Sequence, residues 1–183
     1  MVEADRILDV RVRRDLYEFV RRNPGYHLRE IGRLQNLSIT LADYHLRFLE
    51  KHELISSSMD GEYKRYYPRY LPGDRDAIPA LTDRQKAILG YLRQPIPLVI
   101  LSFLMERESA THKEILAQTR VSASTLSHHL QKLAASEVVA RAVDGQGYRV
   151  AEPKELARLL VTYELARPDQ VDTFVRLWGE FRL

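Results

Sequence analysis

VSASTLSHHLQKLAASEVV, residues 121–139, is matched 84 positions earlier by LSITLADYHLRFLEKHELI, residues 37–55. Both stretches begin with an apolar residue followed by Ser, and both contain a His-Leu pair with another Leu three residues later. The same offset aligns roughly fifty positions, of which ten are identical, and it joins Phe19 to Phe103. Because the identities concentrate at apolar and turn positions, the sequence predicts two copies of one structural unit.

Each unit is expected to contain two helices joined by a tight turn. In the second unit, Thr111 and Glu114 have the pattern of a capping box, and Ser122 is placed to cap the longer helix that follows. The residues expected to face inward recur at helical spacing. They are Leu28, Ile31, Leu34, Ala42, Leu46 and Leu49 in the first unit, and Ile115, Leu116, Leu126, Leu130 and Leu133 in the second. This pattern is typical of a helix-turn-helix.

An Asp-Gly pair follows the helices of each unit. An aliphatic pair precedes Asp60-Gly61 and Asp144-Gly145, and an aromatic or alternating run follows them. Asp-Gly between such segments predicts a β-hairpin, and a helix-turn-helix closed by a hairpin is a winged helix. The expected fold class is therefore mainly α with small β-hairpins (α+β). Two generic helical hairpins are the alternative, but they do not explain why the hairpin signal recurs at the same place.

The remaining segments frame these two units. We expect residues 1–70 to form the first winged helix-turn-helix domain, with an N-terminal helix over residues 3–22. Residues 71–82, which contain Pro and Gly, are expected to form a linker. Residues 83–152 are expected to form the second winged helix-turn-helix domain, opened by a connector helix. Residues 153–183 are expected to form C-terminal helices that mediate dimerisation.

Composition narrows the class of protein. The chain of 183 residues is 45% hydrophobic and 29% charged, which is typical of a globular protein. The absence of Cys excludes disulfide scaffolds, thiolate metal sites and cysteine nucleophiles. The start lacks a signal-peptide pattern, and the longest apolar stretch is about half the ~20 residues of a membrane span, so we expect a cytoplasmic protein without membrane contact. The net charge of +3 permits nucleic-acid binding without arguing for it.

Motifs of enzymes and cofactor sites are missing from the sequence. It contains no phosphate-binding Gly loop, no His-Glu-x-x-His motif and no Gly-x-Ser-x-Gly elbow. Two adjacent His residues, His128 and His129, point about 100° apart on a helix, so they are poorly placed to chelate one metal ion. We therefore expect neither catalysis nor a bound cofactor or metal.

The helices and hairpins carry a resemblance to a known family. Residues 121–139 are similar to the recognition-helix signature of arsenic-repressor-type winged-helix regulators. YHLRFLE at residues 44–50 and KRYYP at residues 64–68 resemble the first unit of archaeal tandem winged-helix transcriptional regulators. The connector LTDRQKAILG at residues 81–90 extends the likeness, which covers about residues 14–152. The resemblance implies a promoter-binding transcription factor whose tails assemble dimers.

Candidate DNA contacts follow from the geometry of this motif, whose second helix enters the major groove with its N-terminal residues leading. The expected recognition helices are residues 38–51 and 122–135, and their partner is double-stranded promoter DNA. Candidates in the first unit are Ser38, Thr40, Tyr44, Arg47 and Lys51, with Lys64 and Arg65 on the wing. Candidates in the second unit are Ser122, Ser124, Thr125, Ser127, His128, Gln131 and Lys132, with Arg141 and Arg149 on the wing.

Some of these residues have structural interpretations as well. Asp43 faces outward among the candidates of the first unit, where its carboxylate would repel phosphates. The recognition helix of the first unit, residues 38–51, is therefore expected to dock differently or to read DNA more weakly. Ser38 and Ser122 are expected to cap their helices whether or not they contact DNA. His45 and His129 lie next to inward Leu residues and are expected to belong to the core or its boundary.

A protein-interaction module is the alternative function, in which the winged helices dock on transcription machinery without strong DNA binding of their own. The low net charge, Asp43 and the apolar C-terminal segment favour this alternative. The homodimer is expected to form through Phe174, Trp178 and Phe181, unless these side chains cover the first unit of the same chain.

Overall fold

The computed structural model describes residues 7–61, 63–69, 80–143 and 145–165. These residues form eight helices and two antiparallel β-hairpins, which confirms the mainly helical fold class. They fall into two compact units that divide between Gly90 and Tyr91. Each unit contains one helix-turn-helix followed by one hairpin, so the repetition in the sequence is present in the fold.

The first unit contains three helices and a hairpin before the connector. Its helices are α1, Arg11–Arg22; α2, Leu28–Leu34; and α3, Ile39–Lys51, and its strands are β1, Ile55–Asp60, and β2, Tyr63–Pro68. The strands pair antiparallel, with Asp60 opposite Tyr63 at the turn. Helix α1 begins later than expected for a helix over residues 3–22, because a turn and a bend at residues 8–10 precede it.

Helices α1 and α3 supply most of the core of the first unit. Leu16 and Val20 of α1 and Leu46 and Leu49 of α3 belong to one buried apolar cluster. Removing such a side chain from water stabilises the fold by about 1.5–3 kcal/mol. The inward positions of α3 are therefore those that the helical spacing predicts.

Helix α2 departs from the expected pattern at one position. Ile31 is buried and Leu28 is half-buried, but Leu34 is exposed. The buried side of this short helix runs through Ile31 and Gly32, and Leu34 lies about 110° around the axis from their midpoint. The prediction that Leu34 faces inward is therefore wrong.

The second unit repeats the arrangement of the first. Its helices are α5, Pro95–Arg107; α6, His112–Thr119; α7, Ala123–Ala135; and α8, Pro153–Thr162, and its strands are β3, Val139–Arg141, and β4, Tyr148–Val150. Leu126, Leu130 and Leu133 of α7 are buried as expected, together with Ile115 of α6, whereas Leu116 is half-buried. The spacing of buried residues on α7 therefore matches that on α3.

The caps confirm the predicted starts of the helices. Ser38 Oγ accepts a hydrogen bond from the backbone N–H three residues on at 3.2 Å, and Ser122 Oγ accepts the equivalent bond at 3.1 Å. Thr111 and Glu114 form the capping box of α6. Caps of this kind stabilise a helix by about 1 kcal/mol each, and helices α3 and α7 begin with the same capping geometry.

Three backbone positions with positive φ recur at the spacing of 84 residues. They pair Asn36 (53°) with Arg120 (54°), Glu53 (60°) with Glu137 (54°), and Gly61 (60°) with Gly145 (74°). The first pair lies in the turn between the helices, the second follows the longer helix, and the third lies in the hairpin turn. Residues other than Gly rarely adopt this conformation. Agreement at the first two positions shows that the backbone follows the same path from the helix-turn-helix into the hairpin. The hairpins themselves differ, because the strands close at Asp60 and Tyr63 in the first unit and at Arg141 and Tyr148 in the second.

In each unit, one residue from the segment between the unit's helix-turn-helix and the helix before it forms an isolated β-bridge with the hairpin. In the first unit His27 lies opposite Arg65, and the Tyr66 N–H donates to the carbonyl of Tyr26 at 3.1 Å. In the second unit Ala110 lies opposite Tyr148, and the two residues exchange backbone hydrogen bonds of 3.0 and 2.9 Å. A Cβ atom on Gly147 would lie 2.8 Å from the carbonyl oxygen of Ala110. The hairpin can approach this closely because residue 147 is Gly, and the contact completes the winged-helix arrangement.

Helix α4, Asp83–Leu92, follows the stretch 70–79, which lies outside the described residues and contains most of the linker expected at 71–82. Thr82 and Gln85 cap it, through hydrogen bonds of 3.0 and 3.2 Å between their backbone N–H groups and side-chain oxygens. The Tyr67 hydroxyl donates to the Lys86 carbonyl at 2.9 Å, so the start of α4 packs on the first unit. The division after residue 90 therefore falls within the helix expected to open the second domain.

Helix length and hydropathy bear on whether the chain could enter a bilayer, since a span needs about 20 apolar residues. Within the part of the chain that the structure describes, no single helix is long and apolar enough to cross a membrane. Helices α4 and α5 reach the required length and composition only together, as a bent pair.

Candidate nucleic-acid interface

The outward face of α7 is polar and open to solvent. Ser124, His128, Gln131 and Lys132 are all exposed, while the Leu residues on the opposite side of the helix are buried. The helix contains no Asp or Glu. The helix therefore presents hydrogen-bonding groups and the cation of Lys132, and it has no carboxylate that would repel phosphates.

Hydroxyl groups cluster at the N-terminus of α7. Ser122 Oγ lies 3.0 Å from Ser124 Oγ and 2.8 Å from Thr125 Oγ1. Ser122 and Ser124 are exposed and Thr125 is half-buried, so two of the three hydroxyls are presented to solvent. Ser127 Oγ instead lies 3.1 Å from Nε2 of His112, which ties α6 to α7.

The C-terminal end of α7 is held by Tyr91. The Tyr91 hydroxyl lies 2.8 Å from Ser136 Oγ and donates to the carbonyl of Lys132 at 3.3 Å. The side chain of Lys132 remains exposed. These bonds hold the C-terminal end of α7, while the cap at Ser122 stabilises its first turn.

The second hairpin offers one exposed cation. Arg141 is exposed, and its guanidinium carbon lies 4.5 Å from the centre of the Tyr148 ring, which is a cation–π contact. Arg149 is half-buried, and its Nη1 donates to the carbonyl of Val150 at 3.4 Å. Of the two wing candidates, Arg141 is therefore the one that faces solvent.

The outward face of α3 differs from that of α7 in its charges. The candidates exposed there are Ser38, Thr40, Tyr44, Arg47 and Lys51. Arg47 Nε lies 2.8 Å from Asp43 Oδ2, and the hydrogen bond and charge of this carboxylate raise the pKa of Arg47. The negative charge of Asp43, which was expected to repel phosphates, is thereby balanced by Arg47. The Arg47 guanidinium is in turn occupied by this ion pair.

Lys64 on β2 is also engaged in an ion pair. Its Nζ lies 2.7 Å from Glu50 Oε2 of α3. Burial raises the pKa of Glu50, but hydrogen bonds from Lys64 and Ser57 outweigh it and leave the pKa below its usual value. Lys64 would have to leave this pair to bind a phosphate.

Arg65 is a correction to the predicted set of DNA contacts. It is 3% exposed, and both Tyr66 and Tyr67 beside it on β2 are buried too. Arg65 Nε donates to Asp60 Oδ2 at 2.7 Å, and Nη1 donates to the carbonyl of Gly25 at 2.8 Å. A cation tolerates burial when it is paired and hydrogen-bonded in this way. Arg65 therefore holds the hairpin in place and is not available to DNA.

The two repeated His residues lie at the edge of the core. His45 is buried and His129 is half-buried. Burial, and then the charge of Arg13, lowers the pKa of His45, while burial, His128 and Lys132 lower the pKa of His129. No group of three His, Asp or Glu side chains in the described ranges is placed to hold a metal ion.

Acidification is expected to destabilise the first unit through His45. Because the pKa of His45 in the folded state lies below the ordinary 6.5, the unfolded chain binds this proton first, and stability falls as the pH drops through 6.5 toward the folded pKa. The slope contributed is at most about 1.4 kcal/mol per pH unit. His45→Leu should remove this part of the pH dependence in urea unfolding between about pH 7.5 and 5.5. Parallel pH profiles for the variant and the wild type would contradict the prediction.

Three exposed cations on the first helices of the two helix-turn-helix motifs add to the predicted candidates. Arg29 and Arg33 lie on α2, and Lys113 lies near the start of α6. The first helix of this motif crosses the DNA backbone, where cations are useful. The sequence could have indicated these contacts, because Arg29 and Arg33 are four residues apart and so lie on the same side of a short helix.

Comparisons with known families match both units of the fold. A family model described as an N-terminal HTH domain matches residues 10–78. The model of the arsR family of bacterial regulatory proteins matches residues 95–141. Both descriptions are of helix-turn-helix proteins rather than enzymes. No solved structure gives a significant match to the chain.

A curated protein also matches across both units. It is named an uncharacterized HTH-type transcriptional regulator, MJ1398, of Methanocaldococcus jannaschii, and it is 29% identical to the chain over 133 residues. The match covers 73% of this chain and 31% of that protein, so the chain spans about a third of the length of its relative. Two helix-turn-helix matches in succession agree with two winged helices in the fold. The chain is therefore similar in both of its units to helix-turn-helix transcriptional regulators.

Proposed function

We propose that the chain is a sequence-specific transcriptional regulator that binds double-stranded promoter DNA. In this proposal α7 enters the major groove and the hairpin of β3 and β4 contacts the adjacent backbone. The observation that carries the proposal is the outward face of α7, which is polar, exposed and without carboxylates. An α-helix fits the major groove, and a helix-turn-helix presents the N-terminal part of its second helix there.

The side chains of α7 fit distinct parts of such a site. Gln131 matches the hydrogen-bonding edge of adenine, and Lys132 matches guanine or a phosphate. Ser124 and His128 lie nearer the leading end of the helix, where a hydroxyl and an imidazole can bond base edges or phosphates. Arg141 on the hairpin would contact the backbone beside the groove in this proposal.

The first unit contributes less to reading DNA in this proposal. Helix α3 exposes Ser38, Thr40 and Lys51, but Arg47 and Lys64 are engaged in ion pairs. Base reading by α3 would require these pairs to open. We therefore assign the reading of sequence to α7 and at most supporting phosphate contacts to α3.

The proposed assembly is a homodimer that acts in the cytoplasm, where it would meet promoters and the transcription machinery. Its basis is the apolar spacing of Phe174, Trp178 and Phe181, which lie outside the described residues. Helix α8 buries Leu156 and Leu160 within the chain. Within residues 153–183, the part assigned to the partner is therefore the segment after α8.

Selection from a library of random duplex DNA tests the proposed function. We expect enrichment of one motif, present as two half-sites about one helical turn apart because the proposed protein is a dimer. Affinity for the selected duplex should fall with salt, with a slope of about −0.9 in log K against log salt for each phosphate contacted. Failure to enrich a motif, or a slope near zero, would contradict the proposal.

A further inference from the structure

A cavity of about 160 Å³ lies beside α5 in the second unit. It is lined by Leu98, Val99, Ser102, Phe103 and Glu106 of α5, by Gln118 near the end of α6, and by Leu165 just after α8. The positions on α5 fall within an arc of about 140°, since successive residues of an α-helix are about 100° apart. Because all of these residues border the same cavity, they form one continuous surface, which we call the α5 groove.

The α5 groove contains an apolar strip and a polar strip side by side. Val99 and Phe103 are four residues apart on α5, so they lie one above the other along the helix. Ser102 and Glu106 are related in the same way, and each follows an apolar residue by three positions, which makes the two strips neighbours. Among the described residues that line the groove, Glu106 is the one with a formal charge. An occupant therefore meets apolar surface along one strip and a carboxylate beside it.

The first unit has a different surface at the equivalent place. For the lining residues on α5 and α6, the residues 84 positions earlier are Arg14, Asp15, Glu18, Phe19, Arg22 and Leu34. Asp15 and Glu18 form ion pairs with basic residues of the same helix, α1. Three charged residues of α1 are thus replaced in α5 by Leu98, Val99 and Ser102. The apolar strip is therefore a property of the second unit and not a requirement of the fold.

The volume of the α5 groove matches one aromatic ring. A cavity of about 150 Å³ lined by apolar side chains holds a benzene molecule. A protein partner needs far more contact than this groove offers, because a standard interface involves about 20–30 residues on each side. The half-buried ring of Phe103 provides a surface on which a second ring can stack. The size and the lining of the groove therefore favour a small molecule with one ring.

We infer that the α5 groove binds a small organic cation in which one aromatic ring carries a primary ammonium group on a short alkyl arm. The ring would pack on Val99 and Phe103, and the ammonium group would pair with Glu106. An ammonium group has three N–H donors, and the side-chain oxygens of Ser102 and Gln118 are acceptors for the other two. The inference is independent of the proposed function, because ligand binding alone tests it.

An acidic ligand of the same size fits the α5 groove less well. Its carboxylate would seek Arg107, whose guanidinium carbon lies 5.9 Å from the centre of the Phe103 ring. Arg107 is not among the residues that line the groove, whereas Glu106 is. A carboxylate within the groove would face Glu106 at close range, and like charges repel each other. The charge of the lining therefore selects a cation over an anion.

NMR titration of the full chain with a matched series of probes tests the inference. Phenethylamine, 2-phenylethanol and 3-phenylpropionate share the ring and the alkyl arm but differ in charge, and ethylamine lacks the ring. We expect phenethylamine to bind with a Kd of about 1 mM or below and to shift the backbone amide signals of residues 98–106 and 118. The other three probes should bind at least about threefold more weakly. Equal binding by any of them, or no shifts at about 10 mM phenethylamine, would overturn the inference.

Three variants locate the site, and the same spectra report whether each one is folded. Glu106→Gln should weaken phenethylamine about three- to fivefold and leave 2-phenylethanol unchanged, because it removes one exposed ion pair. Glu108→Gln removes an exposed carboxylate that does not line the groove, so it should change neither affinity. Leu98→Arg installs the residue that α1 has at the equivalent position and should abolish the binding of phenethylamine.

Two results of these experiments would assign the α5 groove differently. Equal effects of Glu106→Gln and Glu108→Gln would show that the ammonium group does not meet Glu106. Shifts of the amides of residues 98–106 on dilution of the chain without a probe would give the groove to a second copy. Either result would overturn the inference.

Discussion

Replacing Asp60 by Asn is expected to destabilise the first unit by about 2–3 kcal/mol, because it weakens the bond to a buried charged donor. The Asp60 carboxylate lies 2.7 Å from Nε of Arg65, whose side chain is 4% exposed. The variant leaves the guanidinium buried without this counter-charge, and the hydrogen bond to the Gly25 carbonyl supplies no replacement charge. Hydrogen exchange followed by mass spectrometry on residues 11–68 measures the free energy of opening of this unit.

Asp43→Asn is the matched control for this variant. Asp43 forms an ion pair of nearly the same length, 2.8 Å, but its partner Arg47 has a side chain that is 73% exposed. An exposed pair of this kind contributes less than about 1 kcal/mol. Equal losses of stability in the two variants would contradict the structural role assigned to Arg65.

The second large effect is expected on DNA affinity. The variant Ser124→Ala/His128→Ala/Gln131→Ala should bind the selected duplex at least about 100-fold more weakly, because a bidentate contact from Gln131 is worth about 1–3 kcal/mol and the contacts of Ser124 and His128 are lost with it. Ala is favourable in an exposed helix, so the helix itself should remain folded. Fluorescence anisotropy of a labelled duplex at one fixed salt concentration measures the loss.

The equivalent variant of the first unit is the control. Thr40→Ala/Tyr44→Ala/Arg47→Ala changes the residues 84 positions earlier, on a helix with the same cap and the same buried spacing. We expect a loss below about fivefold, because the proposal assigns the reading of bases to α7 and at most supporting phosphate contacts to α3. Equal losses would mean that both helices read DNA, and a larger loss in the first unit would reverse the assignment.

Buried positions, caps and turns could be predicted from the sequence because they obey local rules. Leu46 and Leu130 are buried as their helical spacing predicts, and Ser38 and Ser122 cap their helices as their residue type predicts. The internal repeat strengthened these predictions, since each position could be compared with its counterpart. The two hairpins followed from the same reasoning.

Contacts between distant parts of the chain could not be predicted in this way. Arg65 is held by Gly25, which lies 40 residues earlier, so a cation on a predicted wing gave no sign of its burial. Lys64 meets Glu50 across the contact between β2 and α3, which also depends on tertiary packing. The pairing of Asp43 with Arg47 was accessible from sequence, because residues four apart on a helix are neighbours.

The recurrent left-handed turns have a consequence for how this protein can change. Asn36, Glu53 and Gly61, with their counterparts in the second unit, set the chain reversals whatever the solvent-facing side chains are. Mutation can therefore alter the outer surface of one unit while the other unit keeps both its backbone conformation and its own surface. A scaffold present twice in this way lets selection explore a new specificity in one half without first abandoning the old one.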